Sequence, residues 1–354
     1  MSRELFRAGG LPVLQNRTFA NAADAKASPT GDVVLVQDDR TGLIFNAAFD
    51  PSLLCYDSDY QNEQACSSVF QKHLDEVESV IGRHFEGQRL IEVGCGKGYF
   101  LEHLRTLDYD ITGIDPAYEG DNPDVIKAPF ERGLGLSADA IVLRHVLEHM
   151  SDPIAFLTEI SHANGGRGAI YIEVPCFDWI LQHHAWFDIF YEHVNYFRLL
   201  DFERIFSQIH ERGHIFGGQY IYVVADLASL RCPQGSAHDR IVMPTDFLSG
   251  VDRAISVIRN SQGKRNAIWG AASKGVIFSV YLQRAGTSLD EAIDINPAKQ
   301  GRFLACSGLQ VSSPEDAAGR LTAEDNLFVM NSNYLDEIIA QSDSRYLYYR
   351  VDHE

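Results

Sequence analysis

Glu92, Gly94, Gly96 and Gly98 alternate through the run Leu90-Ile91-Glu92-Val93-Gly94-Cys95-Gly96-Lys97-Gly98, where an apolar strand ends and a helix begins. Glycines at such a turn let the chain reverse tightly and let a ligand approach the backbone. A dinucleotide wants Gly-x-Gly-x-x-Gly, so that the helix N-terminus meets its pyrophosphate. Here the third glycine comes one residue early and a carboxylate precedes the first. Glu92 would repel a pyrophosphate but suits a cation. S-adenosylmethionine (SAM), with an ammonium and a sulfonium, is such a ligand. A second acid, Asp115, closes the next predicted strand, one strand–helix–strand unit further on. A carboxylate there can accept hydrogen bonds from both ribose hydroxyls. The three features together favour SAM over a structural glycine turn and over an NAD-type site.

A later strand, Ala140-Ile141-Val142-Leu143, runs into Arg144-His145-Val146-Leu147-Glu148-His149. Ligands in open α/β sheets sit beyond the carboxyl ends of the strands, so Arg144 and His145 are expected near the methionine part of SAM. For His145 a backbone contact is favoured over a catalytic part. Glu148 and His149 are expected to support the loop. Beyond Glu173-Val174-Pro175 lies an aromatic and histidine-rich stretch, Trp179 to Phe197. Placed after a strand end that faces the cleft, it can cover the transferable methyl, desolvate it and face the sulfonium with aromatic rings. His193 is the best candidate for a general base, because an unperturbed imidazole titrates near working pH. Glu192 could orient an imidazole or the substrate. The competing reading is a buried aromatic helix with satisfied histidines. Metal binding by His183, His184 and His193 fits no strong ligand spacing, and none is expected.

The elements needed to position these groups are a repeating strand–helix pattern. Strands are expected at 89–93, 111–114, 139–143, 168–174 and 219–225, with helices from about 68 and at 99–107, 153–162 and 199–211. Alternation of this kind argues for an α/β fold with a mostly parallel sheet covered on both faces. After the Ser-, Pro- and Gly-containing break at 232–236, a helix near 244–261 precedes a second strand–turn–helix at Asn266-Ala267-Ile268-Trp269-Gly270, with strands near 291–295, 326–330 and 345–351. Three units are therefore expected: a small irregular N-terminal module at 1–68, a core at 69–228 and a smaller α/β domain at 229–354. The 354 residues suit two or three domains. Lys+Arg 30 against Asp+Glu 49 gives a net charge of −19, which argues against a nucleic-acid or anionic-membrane surface. No apolar run approaches a membrane span and the first fifteen residues lack a signal-peptide core, so a cytoplasmic location is expected. The six cysteines, Cys55, Cys66, Cys95, Cys176, Cys232 and Cys306, include no Cys-x-x-Cys pair.

These residues together resemble the sugar C-methyltransferases of antibiotic deoxysugar pathways. That family joins an N-terminal zinc module, a class I SAM methyltransferase core of Rossmann-like fold and a Rossmann-like C-terminal domain. The resemblance rests on the Glu92–Gly98 loop, on Leu147-Glu148-His149-Met150, and on Phe190-Tyr191-Glu192-His193-Val194-Asn195-Tyr196-Phe197. It continues in Trp269-Gly270-Ala271-Ala272-Ser273-Lys274-Gly275, in the run from Asp294 to Arg302 and in Asn333-Tyr334-Leu335-Asp336-Glu337-Ile338. It implies methyl transfer from SAM to a carbon next to a ketone, through an enolate, leaving S-adenosylhomocysteine (SAH). His193 would be the base, with Glu192 and Tyr196 as further catalytic residues. Lys274, Asn296 and Lys299 would line the substrate side of an interdomain cleft, and Tyr60 and Asn62 would approach SAM or substrate unless their segment is a plain hinge. The implied partner is a small natural-product acceptor such as a nucleotide-linked keto sugar. N- or O-methylation of a small metabolite is the alternative within the class. An NAD-dependent oxidoreductase is the alternative outside it, and so is a protein retaining SAM as a structural ligand.

Two departures stand out. Phe190 replaces the tyrosine that opens the family signature. The family's zinc-ligand pairs fall at Phe6-Arg7-Ala8-Gly9-Gly10 and Asp38-Asp39-Arg40-Thr41-Gly42, which hold no cysteine, so no zinc is expected. These changes bear on the nucleotide-sugar substrate and leave SAM binding untouched.

Overall fold

The computed structural model describes residues 2–54, 59–61 and 65–352, apart from the side chain of Arg132. The N-terminal module contributes β1 (Ser2–Pro12), β2 (Thr18–Phe19), β3 (Thr30–Asp38) and β4 (Ile44–Asn46). The core contributes β5 (Arg89–Val93), β6 (Asp110–Ile114), β7 (Val125–Ile126), β8 (Ala140–Arg144), β9 (Ala169–Pro175), β10 (Asn195–Tyr196), β11 (Ile209–Ile215) and β12 (Tyr220–Asp226). The C-terminal domain holds β13 (Asn266–Trp269), β14 (Glu291–Ile293), β15 (Phe303–Leu304), β16 (Val311–Ser312), β17 (Asn326–Val329) and β18 (Leu347–Arg350). Among the described residues no helix is long and apolar enough to cross a membrane.

The central sheet runs β11-β12-β9-β8-β5-β6-β7, parallel from β9 to β7, with β11 and β12 antiparallel at one edge. Its central parallel strands are apolar on both faces, as a sheet covered on both sides requires. Leu90, Ala140, Val142, Tyr171 and Val224 face one core, built with Leu74, Val77 and Ile81 of the helix Ser68–Phe85. Ile91, Ile141, Leu143, Ile170 and Ile172 face the other, against Leu157 and Ile160 of the helix Pro153–Ala163. The first helix starts where the Ser67 hydroxyl accepts the N–H groups of Val69 and Phe70.

The expected strands and helices of this sheet appear within a residue or two, with one correction. The expected helix 199–211 stops at Ile205, and Ile209–Ile215 is instead a strand paired antiparallel with β12. Its burial alternates residue by residue, a period-two pattern that helical spacing cannot supply.

The N-terminal module is a second correction, because it is a sheet rather than irregular chain. Its order is β1-β3-β4-β10. The breakers Gly9-Gly10 and Pro12 are absorbed by a register shift between Ala8 and Leu11, where Gly10 takes φ +60°. The fourth strand, β10, belongs to the aromatic segment of the core, so the module braces that segment directly: Asn195 pairs with Phe45 and Tyr196 with Ile44. Tyr191 is clamped by Asp50, whose N–H it accepts at 2.8 Å and whose carbonyl it donates to at 3.2 Å. A Cβ at Gly31 would lie 2.2 Å from that ring. We expect Gly31→Ala to cost about 1–3 kcal/mol through overpacking, read as a lower thermal midpoint; an unchanged midpoint would show that the module does not hold the segment.

The positions where the family pattern places its zinc-ligand pairs carry other residues. Asp38 already accepts the N–H of Arg40 and the hydroxyl of Thr41, and no thiolate is present there.

The C-terminal sheet, β16-β14-β13-β17-β18, is parallel throughout. In both large sheets the chain leaves a central strand first to one side and later to the other, between β5 and β8 in the core and between β13 and β17 here. Ligands bind outside the strand ends at such switch points.

Candidate functional site

Both switch points open into one cavity of about 870 Å³. The core side is lined by Glu92, Gly94, Gly96, Asp115, Arg144 and His145, the far side by Trp269, Lys274, Asn296, Lys299 and Tyr334. Glu148, His149, Phe190 and His193 line it as well.

The glycine loop is built for close approach. Gly94, Gly96 and Gly98 all have positive φ, at +76°, +56° and +79°. A Cβ at Gly94 would lie 2.3 Å from Val146, so this glycine lets the loops after β5 and β8 touch. At Gly96 a Cβ would meet nothing within 4 Å. Asp115 fixes the loop by accepting the Gly96 N–H at 2.8 Å while its other oxygen accepts from Ala117.

Glu92 is buried, and its Oε2 meets no hydrogen-bond partner among the described residues. Burial raises its carboxyl to about 7; Arg144 opposes the rise, while Asp115 and Glu173 add to it. An acid in this condition fits the ammonium of SAM, since the ligand supplies the missing donor and charge. Binding a cation favours ionised Glu92, so below pH 7 a proton must leave first. We therefore expect SAM affinity to weaken by up to about tenfold per pH unit below 7 and to level off above it. Calorimetry at several pH values checks this, and Glu92→Gln should flatten the profile. Without SAM the stability sign is opposite: the raised carboxyl favours the folded chain below its ordinary value of 4.5, an advantage lost as pH rises through about 7.

Behind the loop lies a buried network that the sequence marked only as a strand end. Glu173, fully buried, meets the Nε2 atoms of His73 at 3.0 Å and His145 at 2.9 Å, and Arg144 at 3.5 Å. Its second oxygen accepts from the Tyr171 hydroxyl at 2.8 Å. Burial opposes the charge, yet Arg144 and His73 hold this carboxyl well below its usual range. His145 sits at φ +54° between Glu148 and Glu173; burial lowers its pKa, but the two acids win and raise it to about 9. His145 is thus an ion-paired imidazolium. Arg144 lies 4.4 Å over the Phe100 ring.

His193 faces the cavity with its ring 4.0 Å from Phe190 and 5.1 Å, edge-on, from His149. Burial, with the nearby His149 and His145, drives its pKa well down, so the imidazole is neutral and has a lone pair to offer. Its expected catalytic companions point elsewhere. Glu192 does not line the cavity: its Oε2 accepts the Gln15 N–H at 2.8 Å, and its carbonyl accepts from His149 Nδ1 at 2.9 Å. Tyr196 spends its hydroxyl on the N–H and carbonyl of Phe190, both at 3.1 Å. Each supports the loop that carries His193, and neither is among the residues that line the cavity. A single stretch of sequence put three polar groups side by side, and only the turn from Phe190 into β10 decided which one faces inward.

Tyr60 lines the cavity, and Asn62 lies outside the described residues. The aromatic segment is helical only at Phe177–Gln182 and in one turn at Trp186–Asp188. It is tied to the C-terminal domain where Lys274 Nζ meets Asp188 at 3.0 Å, over the rings of Trp179 and Phe187. His183 packs on Trp179 instead of joining His193.

Residues 60–209 match the family model for a methyltransferase domain, and residues 253–347 match that for a C-methyltransferase C-terminal domain. The chain is similar to the C-methyltransferase NovU of Streptomyces niveus, 26% identical over 72% of this chain and 69% of that protein. It is also similar to the ubiquinone biosynthesis O-methyltransferase of Cereibacter sphaeroides, 29% identical over 21% of this chain and 36% of the relative. The plantazolicin methyltransferase BpumL, solved with SAH, is 17% identical over 48% of this chain and 88% of its own, with a TM-score of 0.36.

Proposed function

Because the chain is a SAM-dependent methyltransferase homologous to the C-methyltransferases, we propose that it methylates a carbon next to a carbonyl in a small metabolite. The acceptor lies in the cavity between the core and the C-terminal domain. The observation that carries this reading is that one cavity is shared by the glycine loop, by the His193 ring and by Lys274 and Asn296 of the second domain.

SAM, when bound, supplies an electrophilic methyl group. Glu92 would take its ammonium, Asp115 its ribose hydroxyls, and the backbone of Gly94 and Gly96 would pass beside it. His193 accepts the acceptor's α-proton on its free ring nitrogen. The acceptor would become an enolate, and its carbon would take the methyl as the S–CH3 bond of SAM breaks and SAH leaves. Phe190 and the surrounding apolar wall exclude water, which keeps the enolate from recapturing a proton. Phe190 carries no hydroxyl, so the enolate oxygen must find its donor elsewhere. Lys274 and Asn296, which line the far wall, are placed to hold the carbonyl side of the acceptor, whether a nucleotide-linked keto sugar or another keto compound. Positioning within the cavity contributes much of the acceleration.

The test joins calorimetry to product analysis. SAM should bind the wild-type chain, and Asp115→Ala should weaken binding by about tenfold or more while unfolding at a similar temperature; a single ribose hydroxyl pair held by a charged acceptor is worth about 1.5–3 kcal/mol. Incubation with SAM and keto metabolites should add one methyl at carbon. Unchanged affinity in the variant sinks the cofactor site, and a product methylated at oxygen or nitrogen sinks C-methylation.

A further inference from the structure

Glu148, His149 and His193 each turn a potential ligand atom to the same end of the cavity, and these atoms all lie within 4.8 Å of one another. Three separate observations describe the group. The His149 Nδ1 meets the Glu192 carbonyl at 2.9 Å. A carbonyl only accepts, so Nδ1 is the donor in this contact and Nε2 is the ring nitrogen left outside it. Glu148 is 1% exposed, and among the described residues neither of its carboxylate oxygens has a hydrogen-bond donor. Its Oε1 lies 3.3 Å from His145 Nδ1 as an ion pair, whereas Oε2 meets no cation among the described residues. His193 completes the group from a different chain segment, held there by β10.

Three ligand atoms that converge at one end of a buried cavity, one side chain among them offering a carboxylate oxygen that meets no cation, suit a cation that joins them. We propose that Glu148, His149 and His193 form a site for one divalent transition-metal ion. Two imidazole nitrogens and one carboxylate oxygen suit a first-row ion that tolerates mixed N/O ligands. Bonds of about 2.0–2.2 Å require only a small closing of the three side chains, and the remaining positions face the cavity. The His149 contact with a backbone carbonyl is the outer hydrogen bond that fixes the tautomer of a metal-binding imidazole. The neighbouring trio His73, His145 and Glu173 also lies within ligand distance. It differs because Arg144 and the Tyr171 hydroxyl already use the Glu173 oxygens.

This inference goes beyond the proposed reaction and rests on it in one clause: the ion occupies the lone pair with which His193 accepts a proton, so ion and base exclude each other. A bound ion silences C-methylation, and chelation restores it.

The chain is freed of metal with a chelator, and Co²⁺ is then added while its visible absorption bands are followed. One Co²⁺ per chain with bands of a nitrogen- and oxygen-ligated ion is expected. Glu148→Gln and His149→Asn should each weaken binding by about tenfold or more. Glu148→Asp should restore part of it, and all three variants should keep the far-ultraviolet circular dichroism spectrum of the wild type, which shows that they are folded. Absence of binding at submillimolar Co²⁺, or affinity unchanged in both Glu148→Gln and His149→Asn, overturns the site and leaves the base untouched. Turnover that rises on chelation supports the exclusion. Turnover that falls on chelation, with site-specific Co²⁺ binding intact, keeps the site and overturns His193 as the base.

Discussion

His193→Asn is expected to lose about 10²- to 10⁴-fold in turnover, the usual contribution of a positioned general base, with SAM affinity changed less than about twofold. The separation follows from geometry. The His193 ring is set by Phe190, His149 and β10, and among the described residues it makes no ring contact with the glycine loop. Asparagine keeps a polar group in a similar volume but cannot accept and hold the α-proton. A single-turnover measurement of SAH formation, beside calorimetry of SAM, checks both halves. Turnover within about threefold of wild type would remove His193 from the chemistry. A large loss of SAM affinity would instead make it part of the cofactor site.

Glu173→Gln is expected to destabilise the chain by about 3–5 kcal/mol, the cost of breaking a buried charge cluster from one side. Its carboxylate accepts hydrogen bonds from His73, Arg144 and Tyr171 and is the ion-pair partner of His145. Gln offers one acceptor oxygen and an amide whose protons face existing donors. Arg144, with only a tenth of its side chain exposed, would lose its nearest counter-charge. Urea unfolding at neutral pH measures the loss, and a shift below about 1 kcal/mol would show that the network is slack. The pH sign is also fixed. Because Glu173 is held well below its ordinary value of 4.5, its contribution is present above that value and disappears as acid brings the pH through the lower one. The Gln variant should lack this acid-side decline.

The strands at 89–93 and 140–144 and the helix beginning at Tyr99 were legible because apolar runs, glycine turns and helical spacing are local properties. So was the SAM reading, since Glu92, the three glycines and Asp115 lie within one strand–helix–strand unit. The strand Ser2–Pro12 was not legible. Gly9, Gly10 and Pro12 break any isolated strand, and only pairing with β3 across a bulge makes them one. Ile209–Ile215 was hidden for the same reason, its partner being β12.

The aromatic segment marks the boundary between the two kinds of information. Residue types alone fixed that Glu192, His193 and Tyr196 are neighbours and that one of them would suit proton transfer. They did not fix which one meets the cavity. That depends on β4 pairing with β10, on Gln15 reaching Glu192 and on the Tyr196 hydroxyl closing onto Phe190. Gln15 and Glu192 are 177 positions apart in sequence. A window of sequence records propensity and turn chemistry, whereas a site assembled from three modules is set by packing between segments that no window contains. The sequence by itself therefore carried the glycine-loop motif and the class of chemistry. The tertiary structure decided that two switch points share one cavity, that a module without zinc ligands braces its floor, and that His193 is the group turned inward.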